Sequence, residues 1–135
     1  METVETHLPP LPTSPREART FLRAALETWA LDGFGAVTEV LADELVANVV
    51  RHVHAPMTFR ACRLPGSIRV EVDDPSSDPP VQREPDPLSE SGRGLLLLSA
   101  LADEWGVTHY RDDGKTVWFE IDVATATEEV HRDMP

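Results

Sequence analysis

The sequence predicts an α+β fold, a two-layer sandwich in which three helices cover one face of a mostly antiparallel sheet. Helix-like and strand-like apolar patterns follow one another in the order β-α-α-β-β-loop-α-β-β. The last four strand patterns form two pairs, and each pair is joined by a short glycine-containing turn, at Pro65-Gly66 and at Asp112-Asp113-Gly114. Such pairs are typical of antiparallel hairpins.

Length and composition indicate a single domain. The chain has 135 residues and a mass of 15.0 kDa, which leaves room for one hydrophobic core. We assign residues 1–124 to this domain and residues 125–135 to a polar C-terminal tail. No apolar run approaches the roughly 20 residues needed to cross a bilayer, so we expect no association with a membrane.

Charge and cysteine content narrow the function further. The chain carries 24 Asp and Glu against 12 Lys and Arg, a formal net charge of -12, which opposes direct binding to the nucleic-acid backbone. The single Cys62 cannot form an internal disulfide, and the acidic start METVETHLPP lacks the basic and apolar parts of a signal peptide. We therefore expect a cytoplasmic protein.

The first half of the chain predicts a strand and two helices. Residues 4–8 alternate apolar and polar side chains before two prolines, as in a short edge strand. Residues 14–17 combine a capping serine, a proline at the first helical position and a glutamate, and an apolar stripe then continues to Trp29. A second helix is predicted from residue 36 to residue 54, ahead of Pro56.

The second half predicts two hairpins on either side of a loop and a helix. Strands are predicted at residues 58–64 and 67–73, and again at 107–110 and 116–123. Between them, residues 74–93 contain five prolines among serines and acidic residues, a composition that excludes regular structure and favours a functional lid or a mobile segment. A mostly buried helix is then expected from Gly94 through Trp105, ended by Gly106.

Two polar residues of the second helix are candidates for chemistry. Glu44 and Asn48 are four residues apart and stack on one helix face, which also carries Val37, Val40 and Leu41. A carboxylate in an apolar arc needs a hydrogen-bond network, a metal or a ligand. The alternative is a solvated helix edge, which a lone Glu and Asn pair commonly forms.

Two further candidates lie at element ends. Asp74 follows directly on a predicted strand, and Gly92 and Gly94 stand where the third helix begins. Glycines at a helix N-terminus let a ligand approach the backbone closely, and the free N–H groups and the helix dipole favour a phosphate. A glycine before a helix is otherwise an ordinary turn residue.

Four blocks in this order carry a family resemblance. ELVANVVRH (44–52), VEVDDPS (70–76), GRGLLL (92–97) and GKTVWF (114–119) resemble the ATP-binding domain of the histidine-kinase-like superfamily, also called Bergerat or GHKL. The closest likeness is to the anti-sigma-factor serine kinases, in the short stand-alone form abundant in actinobacteria. The resemblance extends from about residue 8 to residue 123 and implies the Bergerat ATP-binding fold, with ATP and Mg²⁺ as cofactors.

The resemblance also implies a role for each matched residue. Asn48 matches the Mg²⁺ ligand, and Glu44 matches the proposed general base. Asp74 matches the aspartate that accepts a hydrogen bond from the adenine amino group, and Thr116 matches the threonine that supports that contact. The phosphate-binding segment comprises Gly92, Arg93, Gly94 and Leu95.

The first glycine motif of the family is altered in this chain. The family pattern is Asp-x-Gly-x-Gly, whereas this sequence has Asp74-Pro75-Ser76-Ser77-Asp78. We interpret this segment as a variant of the motif, with less backbone freedom beside the adenine.

The resemblance implies a regulatory switch that binds ATP. The first hypothesis is an anti-sigma factor with protein-serine kinase activity towards an anti-anti-sigma antagonist, so the expected partners are a sigma factor and the antagonist. A homodimer is a further partner that we consider. The second hypothesis is a non-catalytic module that sequesters a sigma factor or another protein, with nucleotide as a structural ligand or absent. An ATP hydrolase that drives a lid movement is third.

Overall fold

The computed structural model of the chain describes residues 1–76, 90–110 and 114–123. Within this part the chain forms five strands, three α-helices and a short 3-10 helix. In chain order the elements are β1 (Glu2–Leu8), α1 (Ser14–Thr28), the 3-10 helix (Asp32–Phe34), α2 (Gly35–His52), β2 (Met57–Leu64), β3 (Ser67–Asp74), α3 (Glu90–Leu101), β4 (Glu104–His109) and β5 (Lys115–Asp122).

The five strands form one antiparallel sheet in the order β1-β2-β3-β5-β4. Side chains in the central strand β3 alternate strictly, so its even-numbered residues are buried on the helix side and its odd-numbered residues lie on the outer face. The two hairpins are present as predicted, and Gly66 takes the positive φ of 88° that the first turn requires. The α+β sandwich is therefore confirmed.

The core lies between the sheet and the helices. Leu22 and Leu26 of α1, together with apolar residues of α2, pack on the inner face of the sheet, where Phe59 and Phe119 are fully buried. The Phe59 ring also meets Phe21 edge to face, with 6.0 Å between ring centroids. Each such side chain contributes about 1.5–3 kcal/mol through burial, so this layer fixes the position of α2 against β3.

The third helix differs from its prediction. It runs over Glu90–Leu101, whereas residues 94–105 were expected to be helical. Trp105 has helical spacing from the leucines, but it lies in β4, where it pairs with Phe119 of β5. Of the α3 leucines whose side chains are described, Leu98 is buried whereas Leu96 is 59% exposed, so the expectation of a mostly buried helix was wrong.

Gly106 also has a different role from the expected helix stop. It lies in β4 opposite Trp118, and a Cβ atom at this position would come within 2.8 Å of the indole ring. The glycine therefore makes room for the tryptophan on the neighbouring strand.

Several predictions concern residues outside the described part. These are the proline-rich loop over residues 77–89, the turn residues 111–113, and the polar tail from residue 124 onward. None of the described helices combines the length and the apolar character needed to cross a membrane.

Candidate functional site

Asn48 and Glu44 lie along one edge of α2. The buried face of this helix is centred on Leu41, Leu45 and Val49, and the two polar residues flank it with intermediate exposure. Val40, expected on the same apolar face, is 46% exposed. The two residues therefore lie at the border of the core. This position is intermediate between the two alternatives that the sequence left open, a polar pair in the apolar arc and a solvated helix edge.

The amide of Asn48 contains an orphaned acceptor. Its Oδ1 atom is buried and has no hydrogen-bond partner within the described part of the chain. Leaving a buried acceptor unpaired costs about 1–3 kcal/mol. An oxygen held in this way can accept a hydrogen bond or ligate a hard cation such as Mg²⁺.

Glu44 reaches a groove between α1 and α2. The groove has a volume of about 420 Å³ and is lined by Arg19 and Arg23 of α1 together with residues 36, 39, 40, 43 and 44 of α2. Arg19 Nη1 lies 2.9 Å from Asp43 Oδ1, and Arg23 pairs with Glu39 further along. Glu44 is thus placed between this groove and the buried face of α2.

Asp74 ends β3 on the helix side of the sheet and is almost completely buried. Its Oδ1 atom accepts two hydrogen bonds, from Ser76 N at 2.8 Å and from Lys115 Nζ at 3.1 Å. Its Oδ2 atom is buried and has no partner among the described residues. A carboxylate oxygen accepts hydrogen bonds only, so Oδ2 is suited to an incoming N–H or O–H donor.

The turn after Asp74 forms without the glycine of the family pattern. The Ser76 N–H donates to the Asp74 side chain, which gives an Asx turn across Pro75. The close backbone approach comes from Gly114, the residue just before the neighbouring strand β5, which has φ 92°. A Cβ atom on Gly114 would lie 1.9 Å from the Asp74 carbonyl oxygen, so only glycine fits there.

Thr116 lies on the opposite face of the sheet from Asp74. The register pairs it with Asp73, whose Oδ1 atom accepts a hydrogen bond from the threonine hydroxyl at 2.5 Å. The Tyr110 hydroxyl lies 2.9 Å from the same threonine oxygen. In the described structure the Thr116 side chain contacts Asp73 and not Asp74, because successive residues of a strand point to opposite faces.

Lys115, the neighbour of Thr116 in the chain, is the β5 residue that contacts Asp74. It pairs with Asp74 in the register and is the residue whose side chain reaches the aspartate. Sequence reasoning missed it, although the signal was present. Val117, Phe119 and Ile121 alternate on the inner face, and continuing that alternation backwards places Lys115 on the same face.

The expected phosphate-binding segment lies inside α3. Gly92 and Arg93 fall in the first turn of this helix, and Gly94 and Leu95 follow it, because the helix begins four residues earlier than predicted. Amide N–H groups in a first turn have no intrahelical acceptor, so the backbone of Gly92 keeps the predicted suitability for an anion. The N–H of Gly94 falls in the helical hydrogen-bond ladder.

Asn48 lies on α2 and Asp74 ends β3, and these two elements pack against each other. Both residues carry a buried oxygen without a partner, and these are the two such side-chain atoms in the described part. Residues 1–76, 90–110 and 114–123 contain no group of three or more His, Cys, Asp or Glu that could hold a metal ion. A cation at this position would need further oxygen ligands from a bound substrate or from water, in addition to Asn48.

Comparison with known proteins bears on the family to which the chain belongs. No curated protein matches the chain. A family model described as the histidine kinase-like ATPase domain matches residues 8–121, which includes Glu44, Asn48, Asp74 and the α3 glycines. The match covers most of the 135 residues. The chain therefore belongs to the histidine kinase-like ATPase domain family.

Proposed function

We propose that this protein is an ATP-binding regulatory switch of the cytoplasm, an anti-sigma factor with protein-serine kinase activity towards an anti-anti-sigma antagonist. The observation that carries the ATP-binding part is the pair of buried, unpartnered oxygens, Asn48 Oδ1 and Asp74 Oδ2. One suits a hard cation and the other suits a donor group, as Mg²⁺ and the adenine amino group of one nucleotide would provide.

The proposed kinase activity assigns separate tasks to the two α2 residues. Asn48 would hold Mg²⁺, and Mg-ATP, when bound, would supply the phosphoryl group. Glu44 would accept the proton of the attacking serine hydroxyl, which is general-base catalysis by a positioned carboxylate. The placement of Glu44 beside the groove between α1 and α2 supports this assignment, since a hydroxyl of another protein can approach from that side.

The proposed partners are a sigma factor and its antagonist. The net charge of -12 favours protein partners with basic surfaces and opposes direct contact with DNA or RNA. A homodimer is a further state that this proposal accommodates.

The deciding experiment follows phosphoryl transfer from γ-labelled Mg-ATP to candidate antagonist proteins. The wild type should label a serine of the antagonist, and Glu44→Gln should reduce the rate by about 10²–10⁴-fold while ATP still binds. Glu5→Gln, an exposed carboxylate change on the edge strand β1, is the matched control and should leave the rate unchanged. An unchanged rate in Glu44→Gln would refute the assigned role.

The other hypotheses give different results in the same assay. Binding of Mg-ATP without labelling of any antagonist would favour the non-catalytic module that sequesters its partner. Release of free phosphate without an antagonist would favour an ATP hydrolase. Calorimetric titration that finds no binding of the wild type at millimolar ATP would reject all readings that depend on nucleotide.

The role of Asn48 has its own test. Asn48→Ala should make nucleotide binding largely independent of Mg²⁺, because the variant lacks the oxygen that would hold the cation. Wild-type binding should weaken markedly when EDTA removes Mg²⁺.

A further inference from the structure

Lys115 is a buried lysine beside the proposed nucleotide site. Its side chain is 5% exposed and that of Asp74 is 1% exposed. Lysine is almost never fully buried without a partner, and here the partner is Asp74, directly opposite in the β3/β5 register. The position of Lys115 is fixed further because Gly114, the preceding residue, packs on the Asp74 backbone.

Beyond the hydrogen bond between them, Asp74 can still accept a hydrogen bond and Lys115 can still donate one. Asp74 Oδ1 is occupied by Ser76 N and Lys115 Nζ, while Oδ2 remains open. A lysine ammonium has three N–H donors, and the contact with Oδ1 uses one of them. An open acceptor and further donor capacity therefore lie side by side on the helix face of the sheet.

We propose that Lys115 is a specificity-determining residue that selects adenine by donating a hydrogen bond to N1 of the purine ring. Asp74 Oδ2 would accept from the adjacent 6-amino group. This inference rests on the proposed ATP binding and adds a residue that reads the base. In adenine a donor and an acceptor stand next to each other on this edge, which matches the Asp74 and Lys115 pair.

Guanine and hypoxanthine present the reverse order on the same edge. Their position 6 is a carbonyl acceptor and their N1 carries a hydrogen. Either base would place an oxygen against a carboxylate and an N–H against an ammonium. A site that is built to hydrogen-bond one pattern discriminates strongly against a base that leaves its buried groups unpaired.

The simpler alternative is that Lys115 acts only as the counter-ion of Asp74. The two roles differ in what they ask of the ligand. A counter-ion is indifferent to the atom at purine position 1, whereas a base-reading lysine requires an acceptor there. Nucleotide analogues changed at that one atom therefore separate the alternatives.

The test is calorimetric titration of the wild-type protein, in Mg²⁺, with ATP, 1-deaza-ATP, 7-deaza-ATP and inosine triphosphate. Loss of the N1 acceptor in 1-deaza-ATP should weaken binding by about 10–100-fold, the range expected for a charge-assisted hydrogen bond. Inosine triphosphate should bind at least as weakly. The matched control, 7-deaza-ATP, lacks a different ring nitrogen and should bind like ATP.

A lysine variant completes the design. Lys115→Met should bind ATP and 1-deaza-ATP with equal affinity, because it no longer has the donor. Since the wild-type series alone decides between the alternatives, the test stands even if this variant does not fold. Equal affinity of the wild type for ATP and 1-deaza-ATP would overturn the inference and leave ATP binding intact. Failure of all four nucleotides to bind would overturn ATP binding itself, and this inference with it.

Discussion

Two carboxylates of β3, Glu71 and Asp74, lie on opposite faces of the sheet and are treated differently by their neighbours. On the outer face, both Glu71 oxygens are occupied, by Arg60 at 2.7 Å and by Arg69 at 2.8 Å. On the helix face, one oxygen of Asp74 is occupied and the other is buried without a partner in the described structure. A carboxylate whose two oxygens are both paired stabilises the fold, whereas one with an unpaired buried oxygen can still accept a further hydrogen bond.

The surroundings of the two carboxylates also differ in their exposure to water. The outer face continues the network with an ion pair between Arg69 and Glu120, and the Arg69 guanidinium stacks over the Trp118 ring at 4.0 Å. These groups keep part of their surface in water. The Asp74 and Lys115 pair is enclosed, so removing one member leaves an uncompensated charge in the interior.

The largest expected effect comes from removing the buried cation. Lys115→Met should lower the free energy of unfolding by about 3–5 kcal/mol, because it removes one partner of a buried ion pair and leaves the other without its counter-ion. Urea denaturation measures the loss. Adding Asp74→Asn to this variant should restore most of the stability, and a loss below about 1 kcal/mol in the single variant would show that the two faces are energetically alike.

A backbone change beside the same carboxylate should be next in size. Gly114→Ala forces an L-residue to φ 92° and places its Cβ against the Asp74 carbonyl oxygen, so we expect a loss of at least about 1–3 kcal/mol in thermal unfolding. Gly33→Ala is the matched control, because no atom lies within 4 Å of its added Cβ. Similar losses in the two variants would contradict the role of Gly114 at the Asp74 turn.

The contribution of the outer face to stability should depend on pH. Burial acts to raise the pKa of Glu71, but the hydrogen bonds from Arg60 and Arg69 outweigh it and hold that pKa below its ordinary value of 4.5. This stabilisation is fully present above pH 4.5 and is lost as the pH falls through the lower pKa of the folded state. The Glu71→Gln variant should lose stability less steeply than the wild type below pH 4.5 in acid titrations followed by circular dichroism. Parallel titration curves for the wild type and Glu71→Gln would show that Glu71 does not contribute to stability in acid.

The smallest effect is expected at the end of the outer network. Glu120→Gln should cost about 0.2–1 kcal/mol, because its pair with Arg69 is part-exposed and Arg69 keeps Glu71 and Trp118 as neighbours. The difference from the wild type should shrink in 1 M NaCl, since salt screens such pairs. A loss as large as that of Lys115→Met would erase the distinction between the two faces.

The strands were predictable because their period is two residues. The alternation of Ile68, Val70 and Val72 fixed the buried face of β3, and the glycine turns fixed the hairpin partners. The same rule places Lys115 on the inner face. It was missed because the family pattern drew attention to Thr116, which the register places on the outer face beside Asp73.

The helices were harder to bound from the sequence. Trp105 continues the leucine spacing of α3, yet pairing with Phe119 in the sheet placed it in β4, a tertiary contact that no local pattern contains. Glu44 and Asn48 were found by their chemistry, but a period of 3.6 residues leaves the exact border of a buried face open. The lack of a hydrogen-bond partner for Asn48 Oδ1 in the described structure depends on which groups surround it in space, and no local sequence pattern shows this.

The pairing of β3 with β5 also bears on how the protein folds. Asp74 and Lys115 are 41 residues apart in the chain, with α3 and β4 between them. Closing a loop of that length is entropically unfavourable until the strands dock, and such non-local pairings form slowly compared with the β2/β3 hairpin. The β2/β3 hairpin can form early, but Asp74 pairs with Lys115 only when β5 takes its place between β3 and β4. Under the proposed function, the capacity of this pair to bind nucleotide should therefore appear together with this long-range step of folding, and nucleotide present during refolding should act on that step.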